Sequence, residues 1–271
     1  MSAETNQPDW ASIAEKFDVW LPQIAPVGEA LIDALDVQPG ERVLDVASGT
    51  GEPALTLARR LHGKAEIVGT DSAEPMAQVA QSKVEQQGLK NIQFRAMPAE
   101  RLDFPDNSFD KVLCRFGVML FEDSQQGLNE MCRVLKPGGR VALAVWGTPE
   151  TMPTMYWSYQ VLKDRLPEEL HPPVHKVTSL GAPGRLEGMM AKAGFDRIDV
   201  ASQVFNYSFP SFDAFWDTLE ASDVLKQQYD ALPPEQHAGI RDEVGRFAED
   251  FITDHGFVVP HQYLLAAATK A

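Results

Sequence analysis

The chain has 271 residues, of which 44% are apolar and 23% charged, so it is long enough for one large α/β domain. A net charge of −15 argues against a nucleic-acid partner, because Lys and Arg on phosphates supply most of that affinity. No apolar run approaches the ~20 residues that span a bilayer, and residues 1–10 lack the features of a secretory signal. The two cysteines are too few for a disulfide framework. We therefore expect a cytoplasmic protein without a membrane span.

Two helices are expected over residues 8–37, ahead of any strand. Ile13, Phe17 and Trp20 recur at helical spacing, and a second apolar set follows Pro22. Pro39 and Gly40 then end the helical pattern. We expect residues 1–40 to form an N-terminal helical cap.

Strands and helices alternate over residues 41–150. The predicted strands are Arg42–Ala47, Glu66–Thr70, Ile92–Ala96, Phe109–Cys114 and Arg140–Trp146. The predicted helices are Pro53–Leu61, Glu74–Gln87 and Gln126–Leu135. This alternation predicts a parallel sheet covered by helices on both faces, which makes residues 41–150 the expected core.

The second half of the chain is less regular. Helices are predicted over Met155–Leu166 and Arg185–Ala193, and strands over Phe195–Val204 and His261–Thr269. Residues 211–254 between those strands are helix-like, with a break at Pro233 and Pro234. We expect residues 151–271 to complete the sheet and to carry a helical lid insertion at about 211–254.

A glycine turn joins the first predicted strand to the helix that follows it. Gly49 and Gly51 let the backbone pass close to a ligand, and the free N–H groups of the helix start face that ligand. Asp71 follows the second strand, where a carboxylate can accept both hydroxyls of a ribose. The turn also matches the dinucleotide pattern G-x-G-x-x-A. These residues alone leave open both a nicotinamide cofactor and S-adenosylmethionine (SAM).

Three further features favour SAM. Asp45 lies at the end of the first strand, where a carboxylate suits a cationic, amino-acid-bearing ligand and would repel a pyrophosphate. Residues 104–110 (Phe-Pro-Asp-Asn-Ser-Phe-Asp) lead directly into the fourth strand. Residues 134–140 (Val-Leu-Lys-Pro-Gly-Gly-Arg) lead into the fifth.

Together these motifs resemble the class I SAM-dependent methyltransferases, in particular the ubiquinone/menaquinone-biosynthesis (UbiE-like, methyltransferase type 11) group. The resemblance is strong over residues 17–146 and is architectural over 185–269. It implies a doubly wound, seven-stranded Rossmann-like sheet whose last strand is antiparallel. It also implies SAM as the cofactor and S-adenosylhomocysteine as the product.

The resemblance implies cofactor contacts at defined positions. Around the methionine portion these are Asp45, Ser48, Gly49, Thr50 and Gly51, and around the ribose and adenine they are Asp71, Ser72 and Met76. The adenine edge would meet Pro98, Ala99 and Glu100, and the end of the fourth strand contributes Cys114 and Arg115. Trp20 would close over the cofactor. Two positions depart from the family's pattern. Ala47 stands where Gly is common, and Pro98 stands where the family offers an Asp side chain to adenine.

The implied reaction is an in-line transfer of a methyl group to a small, apolar or aromatic molecule, on oxygen or carbon. The cofactor brings the reactivity, so such an enzyme needs no fixed catalytic motif. Should the acceptor be a hydroxyl, His171 and His175 beside the Pro172-Pro173 loop are candidate bases, ahead of His237, His255 and His261. No His/Cys cluster has metal-ligand spacing, so we expect no metal.

Aromatic and methionine side chains follow the predicted strand ends, at the edge where open α/β sheets bind ligands. The candidates for an acceptor pocket are Phe116, Met119, Phe121, Trp146, Tyr156 and Trp157, and core packing is the alternative for each. A nicotinamide oxidoreductase and a SAM-binding protein that does not methylate remain alternatives. A nucleic-acid methyltransferase is disfavoured by the charge and by the lack of an Asn/Asp-Pro-Pro-Tyr motif. The sequence leaves a monomer and a homodimer equally open.

Overall fold

The computed structural model describes residues 9–271, the side chain of Ala238 excepted, so the predicted cap falls partly outside the described residues. The strands are β1 (Arg42–Val46), β2 (Glu66–Asp71), β3 (Ile92–Ala96), β4 (Phe109–Arg115), β5 (Leu135–Trp146), β6 (Phe195–Phe209), β7 (Ile252–Thr253) and β8 (Gly256–Lys270). The helices are α1 (Leu21–Leu35), α2 (Ala54–Leu61), α3 (Glu74–Gln87), α4 (Ser124–Val134), α5 (Pro153–Leu162), α6 (Val174–Val177), α7 (Arg185–Ala193), α8 (Phe212–Ala221), α9 (Lys226–Asp230) and α10 (Pro234–Ala248).

One mixed sheet organises the chain, in the order β3-β2-β1-β4-β5-β8-β6. Strands β1 to β5 pair in parallel, and β8 runs antiparallel to both of its neighbours, β5 and β6. This confirms the predicted doubly wound sheet with an antiparallel last strand. The strand count is eight rather than seven, because Ile252 and Thr253 form an additional exposed strand against the start of β8.

The strand order reverses between β1 and β4, which leaves a crevice at the carboxyl ends of those strands. Both strands have an apolar centre, and Val43, Leu44, Val112 and Leu113 have no exposed surface, as expected for strands covered on both faces. On one face, α1 buries Val27, Leu31 and Leu35 against the sheet. The sheet and its helices therefore form a rigid base beneath the crevice.

Several boundaries differ from the sequence prediction. The first expected helix is replaced by turns and a short 3₁₀ helix, Phe17–Trp20, and Pro22 lies in the first turn of α1, where proline is well tolerated. Strand β5 begins at Leu135 because Pro137, Gly138 and Gly139 form an irregularity within the strand rather than a turn before it. Strands β6 and β8 are each 15 residues long, which exceeds the predicted lengths.

Helices α8 to α10 lie between β6 and β7, within the segment expected to be a lid. Helix α8 begins at an N-cap, Ser211, whose hydroxyl accepts the Ala214 N–H at 3.1 Å. Phe215 and Trp216 bury this helix against the rest of the molecule. Within residues 9–271, no helix is both long and apolar enough to cross a membrane.

Candidate active site

A cavity of about 510 Å³ opens at the carboxyl ends of the parallel strands. Its walls come from the N-terminal segment, the turn after β1, the ends of β2 and β3, the loop after β4, α5, β6 and α8. This is the edge at which the sequence predicted ligand binding. Fifteen of the predicted site residues line the cavity: Trp20, Ser48, Gly49, Thr50, Asp71, Ser72, Met76, Pro98, Ala99, Glu100, Arg115, Phe116, Met119, Phe121 and Trp146.

The turn after β1 is held by left-handed backbone and by hydrogen bonds to β2. Ala47, Gly49 and Gly51 have φ values of +56°, +52° and +106°. The N–H of Ser48 donates to the Thr70 carbonyl at 2.9 Å. A Cβ at Gly51 would lie 2.8 Å from a Leu55 methyl, so glycine there lets α2 pack closely against the turn. Gly51 shapes the turn from outside the cavity wall.

Asp71 joins this turn to the start of α3. One carboxylate oxygen accepts the Gly49 N–H at 2.9 Å, and the other accepts the Ala73 N–H at 2.9 Å. Burial raises the pKa of Asp71 above its usual value, although both N–H bonds oppose the shift. Each oxygen keeps a lone pair for a further donor, so the side chain has the acceptors that a ribose diol requires.

Asp45 lies behind the turn and is only 1% exposed, so it is buried beneath the cavity rather than in its wall. Neither of its oxygens has a well-formed hydrogen bond with any described residue. Burial raises the pKa of Asp45 to about 8, opposed by the charge of Arg115 and by the Ala54 N–H. A buried, poorly partnered carboxyl of this kind fits a cationic group on a ligand.

Arg115 ends β4 and lines the cavity close to the turn. Its guanidinium donates to the Glu52 carbonyl at 2.8 Å and to the Ile24 carbonyl at 3.4 Å. Burial lowers the pKa of Arg115, while the charges of Asp45 and Glu52 raise it. The backbone carbonyls therefore fix this cation between α1 and the turn. It can meet a ligand carboxylate there.

The segment after β3 forms the opposite side of the cavity. The Met97 N–H donates to the Asp71 carbonyl at 2.7 Å, which ties the segment to β2. One oxygen of Glu100 accepts the backbone N–H groups of Glu122 and Asp123, at 2.9 and 3.3 Å. Pro98 lines the cavity without a side-chain acceptor, so Glu100 and the backbone carry the polar groups on this side.

The N-terminal segment covers the turn from outside the sheet. The Thr50 hydroxyl donates to Asp18 at 2.6 Å, and Lys83 forms an ion pair with the same carboxylate at 2.6 Å. Trp10 and Phe17 line the cavity beside Trp20, and the sequence prediction did not include them. The helical spacing of Phe17 with Ile13 and Trp20 indicated only a buried face, because the sequence does not show which surface that face covers.

Beyond the turn the cavity is aromatic. The rings of Phe116 and Trp146 are stacked with centroids 3.8 Å apart at 7°. Phe116 has a φ of +58°, a strained conformation for an aromatic residue, of the kind that concentrates at functional sites. A Cβ at Gly117 would lie 2.5 Å from the Ala47 Cβ and 2.6 Å from the Cys114 sulfur, so only glycine fits there.

Tyr207 lines the same part of the cavity from β6, and the sequence prediction missed it. Phe205, Tyr207 and Phe209 alternate along the strand and are all buried. This two-residue alternation was a readable signal, but it falls beyond the predicted end of the strand.

Helix α5 turns a different face to the cavity from the one expected. Met152, Thr154, Met155 and Ser158 line it, as spacings of three and four residues require. Tyr156 and Trp157 therefore point elsewhere and do not belong to the wall. Tyr156 pairs with Tyr159 at 6.3 Å between centroids, and Trp157 is buried.

Three other predicted residues also lie outside the cavity wall. Cys114 is fully buried behind it, and burial raises the pKa of its thiol well above the usual value, which makes the thiol unreactive. His171 bonds the Leu166 carbonyl at 3.0 Å. His175 packs its ring against Tyr159 at 4.8 Å between centroids. Neither histidine faces the cavity, because α6 and the preceding loop turn them toward α5.

The residues present suit SAM. They provide an unpartnered buried carboxyl, a cation fixed by carbonyls, a diol-accepting aspartate and a narrow glycine turn within one crevice. In the part of the chain that the structure describes, no group of three or more His, Cys, Asp and Glu side chains is placed to hold a metal. Fold and site together have the features of the class I SAM-dependent methyltransferases.

Comparison with known proteins identifies the family. The profile of the ubiE/COQ5 methyltransferase family matches residues 9–169. A demethylmenaquinone methyltransferase of Thermus thermophilus is 38% identical over 173 residues, which cover 60% of this chain and 77% of that protein. The chain belongs to the ubiE/COQ5 methyltransferase family. This membership decides against the nicotinamide alternative.

Other similarities are more limited in what they cover. A ubiquinone/menaquinone biosynthesis C-methyltransferase of Geobacter sulfurreducens is 43% identical over 113 residues, 41% of this chain and 44% of that protein. The chain thus matches less than half of that relative's length. The crystal structure of the YcgJ protein of Bacillus subtilis has a TM-score of 0.63 at 20% identity, covering 91% of this chain and 98% of that one. That likeness concerns the fold.

Proposed function

We propose that this protein transfers a methyl group from SAM to a small, apolar aromatic molecule, on carbon or oxygen. The observation that carries the proposal is one continuous cavity. It joins the glycine turn and Asp71 to the stacked rings of Phe116 and Trp146. Cofactor and acceptor would lie in contact there, as an in-line displacement requires.

The chain's own residues would bind and orient the cofactor. Asp71 would accept the ribose hydroxyls, and Arg115 would meet the carboxylate of the methionine portion. Asp45, beneath the cavity wall, would attract the ammonium group electrostatically. Ser72, Met76, Ala99 and Glu100 would surround the adenine. When bound, SAM supplies an electrophilic methyl group on a sulfonium, so the protein needs to contribute orientation and the exclusion of water. Trp10, Phe17 and Trp20 form the wall that would exclude water from the N-terminal side.

The acceptor class is supported by the aromatic wall and by the names of the relatives. An aromatic acceptor would pack face-to-face or edge-on against Phe116, Trp146 and Tyr207. The Met119 side chain would pack against the rest of its apolar surface. The Thermus relative is named for demethylmenaquinone and the Geobacter relative for C-methylation. These names favour carbon on an aromatic ring as the attacked atom.

Other aspects of the proposal rest on less direct support. We infer a small-molecule acceptor and no nucleic acid, given the net charge of −15. The free cysteines Cys114 and Cys132 suit a reducing cytoplasm. We propose that residues 9–40 act as a cap, 41–150 as the cofactor-binding core and 211–254 as a lid over the acceptor. Both a monomer and a homodimer are compatible with this arrangement.

Two measurements test the proposal. Titration calorimetry with SAM and with NAD should show binding of SAM alone, and binding of NAD alone would overturn the proposal. Transfer of radiolabelled methyl groups from SAM should then be measured into a panel of monocyclic and bicyclic hydroquinones and phenols. SAM binding without transfer into any of them would favour the alternative of a SAM-binding protein that does not methylate.

A further inference from the structure

Thr154 and His261 form a hydrogen-bonded pair across 107 residues of sequence. The Thr154 hydroxyl lies 2.9 Å from Nε2 of His261, and Nδ1 of the same ring lies 3.1 Å from the Val259 carbonyl. A carbonyl oxygen can only accept, so Nδ1 carries the proton and Nε2 is the acceptor. The Thr154 hydroxyl must therefore donate its hydrogen to His261.

Ser158 repeats this arrangement one helical turn further along α5. Its hydroxyl donates to the Thr154 carbonyl at 3.2 Å. Thr154 and Ser158 both line the cavity, and His261 lies behind them with no exposed surface. Because both hydroxyl hydrogens are directed into the protein, the two side chains offer lone pairs to the cavity.

This acceptor pair borders the aromatic wall. The His261 ring lies 4.1 Å from the Tyr207 ring and 6.2 Å from the Trp146 ring, between centroids. Burial lowers the pKa of His261 to about 4, with the Val259 carbonyl opposing the shift. The ring is therefore neutral at physiological pH, the direction of the hydrogen bond is constant, and the imidazole is too weak a base to deprotonate a phenol.

We propose that Thr154, with its hydroxyl oriented by His261, is a specificity-determining residue that selects acceptor molecules carrying an O–H or N–H donor beside an aromatic ring. An ether oxygen at that position would face a lone pair of the Thr154 hydroxyl. The ether oxygen and the Thr154 oxygen would then both lack a hydrogen-bond donor, which is unfavourable in a buried site. His261 is a positioning residue that fixes the direction of the bond. This inference rests on the proposed function and adds to it the group by which the acceptor is recognised.

The experiment compares two matched probes by calorimetry on the protein saturated with S-adenosylhomocysteine. The probes are 1-naphthol, which carries a donor, and 1-methoxynaphthalene, which does not. The wild-type protein should bind 1-naphthol more tightly, by about tenfold. Equal affinities, or no binding of either probe, would overturn the proposal.

Substitutions at Thr154 and His261 test whether this pair causes the preference for 1-naphthol. Thr154→Val keeps the shape of the side chain and should bring the two affinities together, chiefly by weakening 1-naphthol, whereas Thr154→Ser should retain the preference. His261→Leu frees the Thr154 hydroxyl to donate, so it should reduce the preference by strengthening 1-methoxynaphthalene. A Thr154→Val variant that keeps the full preference would contradict the proposal.

Affinity for S-adenosylhomocysteine, measured first on every variant, separates this inference from the proposed function. A wild-type protein that binds the cofactor but shows no preference between the probes overturns the specificity role alone. Absence of cofactor binding by the wild-type protein overturns the proposed function as well.

Discussion

Replacing Asp45 with Asn is expected to stabilise the cofactor-free protein and to weaken SAM binding at the same time. Asp45 is buried, and its pKa of about 8 in the folded protein compares with 3.8 for an ordinary aspartate. The folded state therefore binds this proton more tightly than the unfolded state does. The stability that results is present at low pH and is lost as the pH rises from about 4 to about 8.

The magnitude follows from the size of the shift. One pKa unit corresponds to ~1.4 kcal/mol, so at pH 7 the wild-type protein has lost up to about 4 kcal/mol of unfolding free energy relative to pH 4. Asparagine does not titrate and retains that stability. The advantage of Asp45→Asn over the wild type should therefore grow by ~1.4 kcal/mol per pH unit between pH 5 and pH 7 and level off above pH 8.

Urea unfolding of the cofactor-free proteins at pH 5, 6, 7 and 8 measures this difference. Calorimetry at pH 7 should show SAM binding weakened by about tenfold or more, because asparagine cannot ionise to pair with the ammonium group as the Asp45 carboxyl would when SAM binds. Asp110→Asn is a control for which the change in unfolding free energy with pH should have the opposite sign. Asp110 is partly buried, yet Lys136 and the Arg42 N–H lower its pKa, so that variant should lose stability at neutral pH and not in acid. The same stability difference for Asp45→Asn at pH 5 and pH 8 would refute the reasoning.

Three further changes test other parts of the site. Asp71→Ala should weaken SAM binding by about 1–3 kcal/mol, the cost of removing a charged hydrogen-bond acceptor, and unchanged affinity in calorimetry would exclude a ribose contact. Gly117→Ala should lower stability by about 1–3 kcal/mol in thermal melts, because its Cβ would lie below 3 Å from the Ala47 Cβ and the Cys114 sulfur. Gly188→Ala, in a helix with open space around the Cβ, is the matched control and should be neutral or stabilising. Ser211→Ala should cost about 1 kcal/mol by removing the N-cap of α8, and a variant with wild-type stability would show that the cap is dispensable.

Buried parallel strands were the most predictable part of the fold. Residues 42–46 and 109–115 each have an apolar centre, Val43-Leu44 and Val112-Leu113, and follow proline-containing turns, and this local pattern is enough to place them. The cofactor side of the site followed from the same pattern, since the chain order fixes where β1, β2 and β4 end.

The acceptor side was less accessible because it depends on long-range geometry. Which face of α5 meets the cavity is decided by packing against α10 and β8, and this placed Thr154 and Ser158 in the wall in place of Tyr156 and Trp157. The alignment of His261 with Thr154 depends on the register of β8, which no local pattern encodes.

The antiparallel direction of β8 has a consequence for how this fold diversifies. Because Trp146 at the end of β5 pairs with Tyr263, residues 257–262 extend past the end of β5 with β6 as a two-stranded ribbon over the crevice. The connection from β6 to β8 therefore starts and finishes above the aromatic part of the cavity. Insertions there can reshape the roof of the acceptor cavity without altering the crossovers that carry the glycine turn and Asp71. The cofactor-binding side of the cavity can thus stay the same while the segment that covers the acceptor side changes.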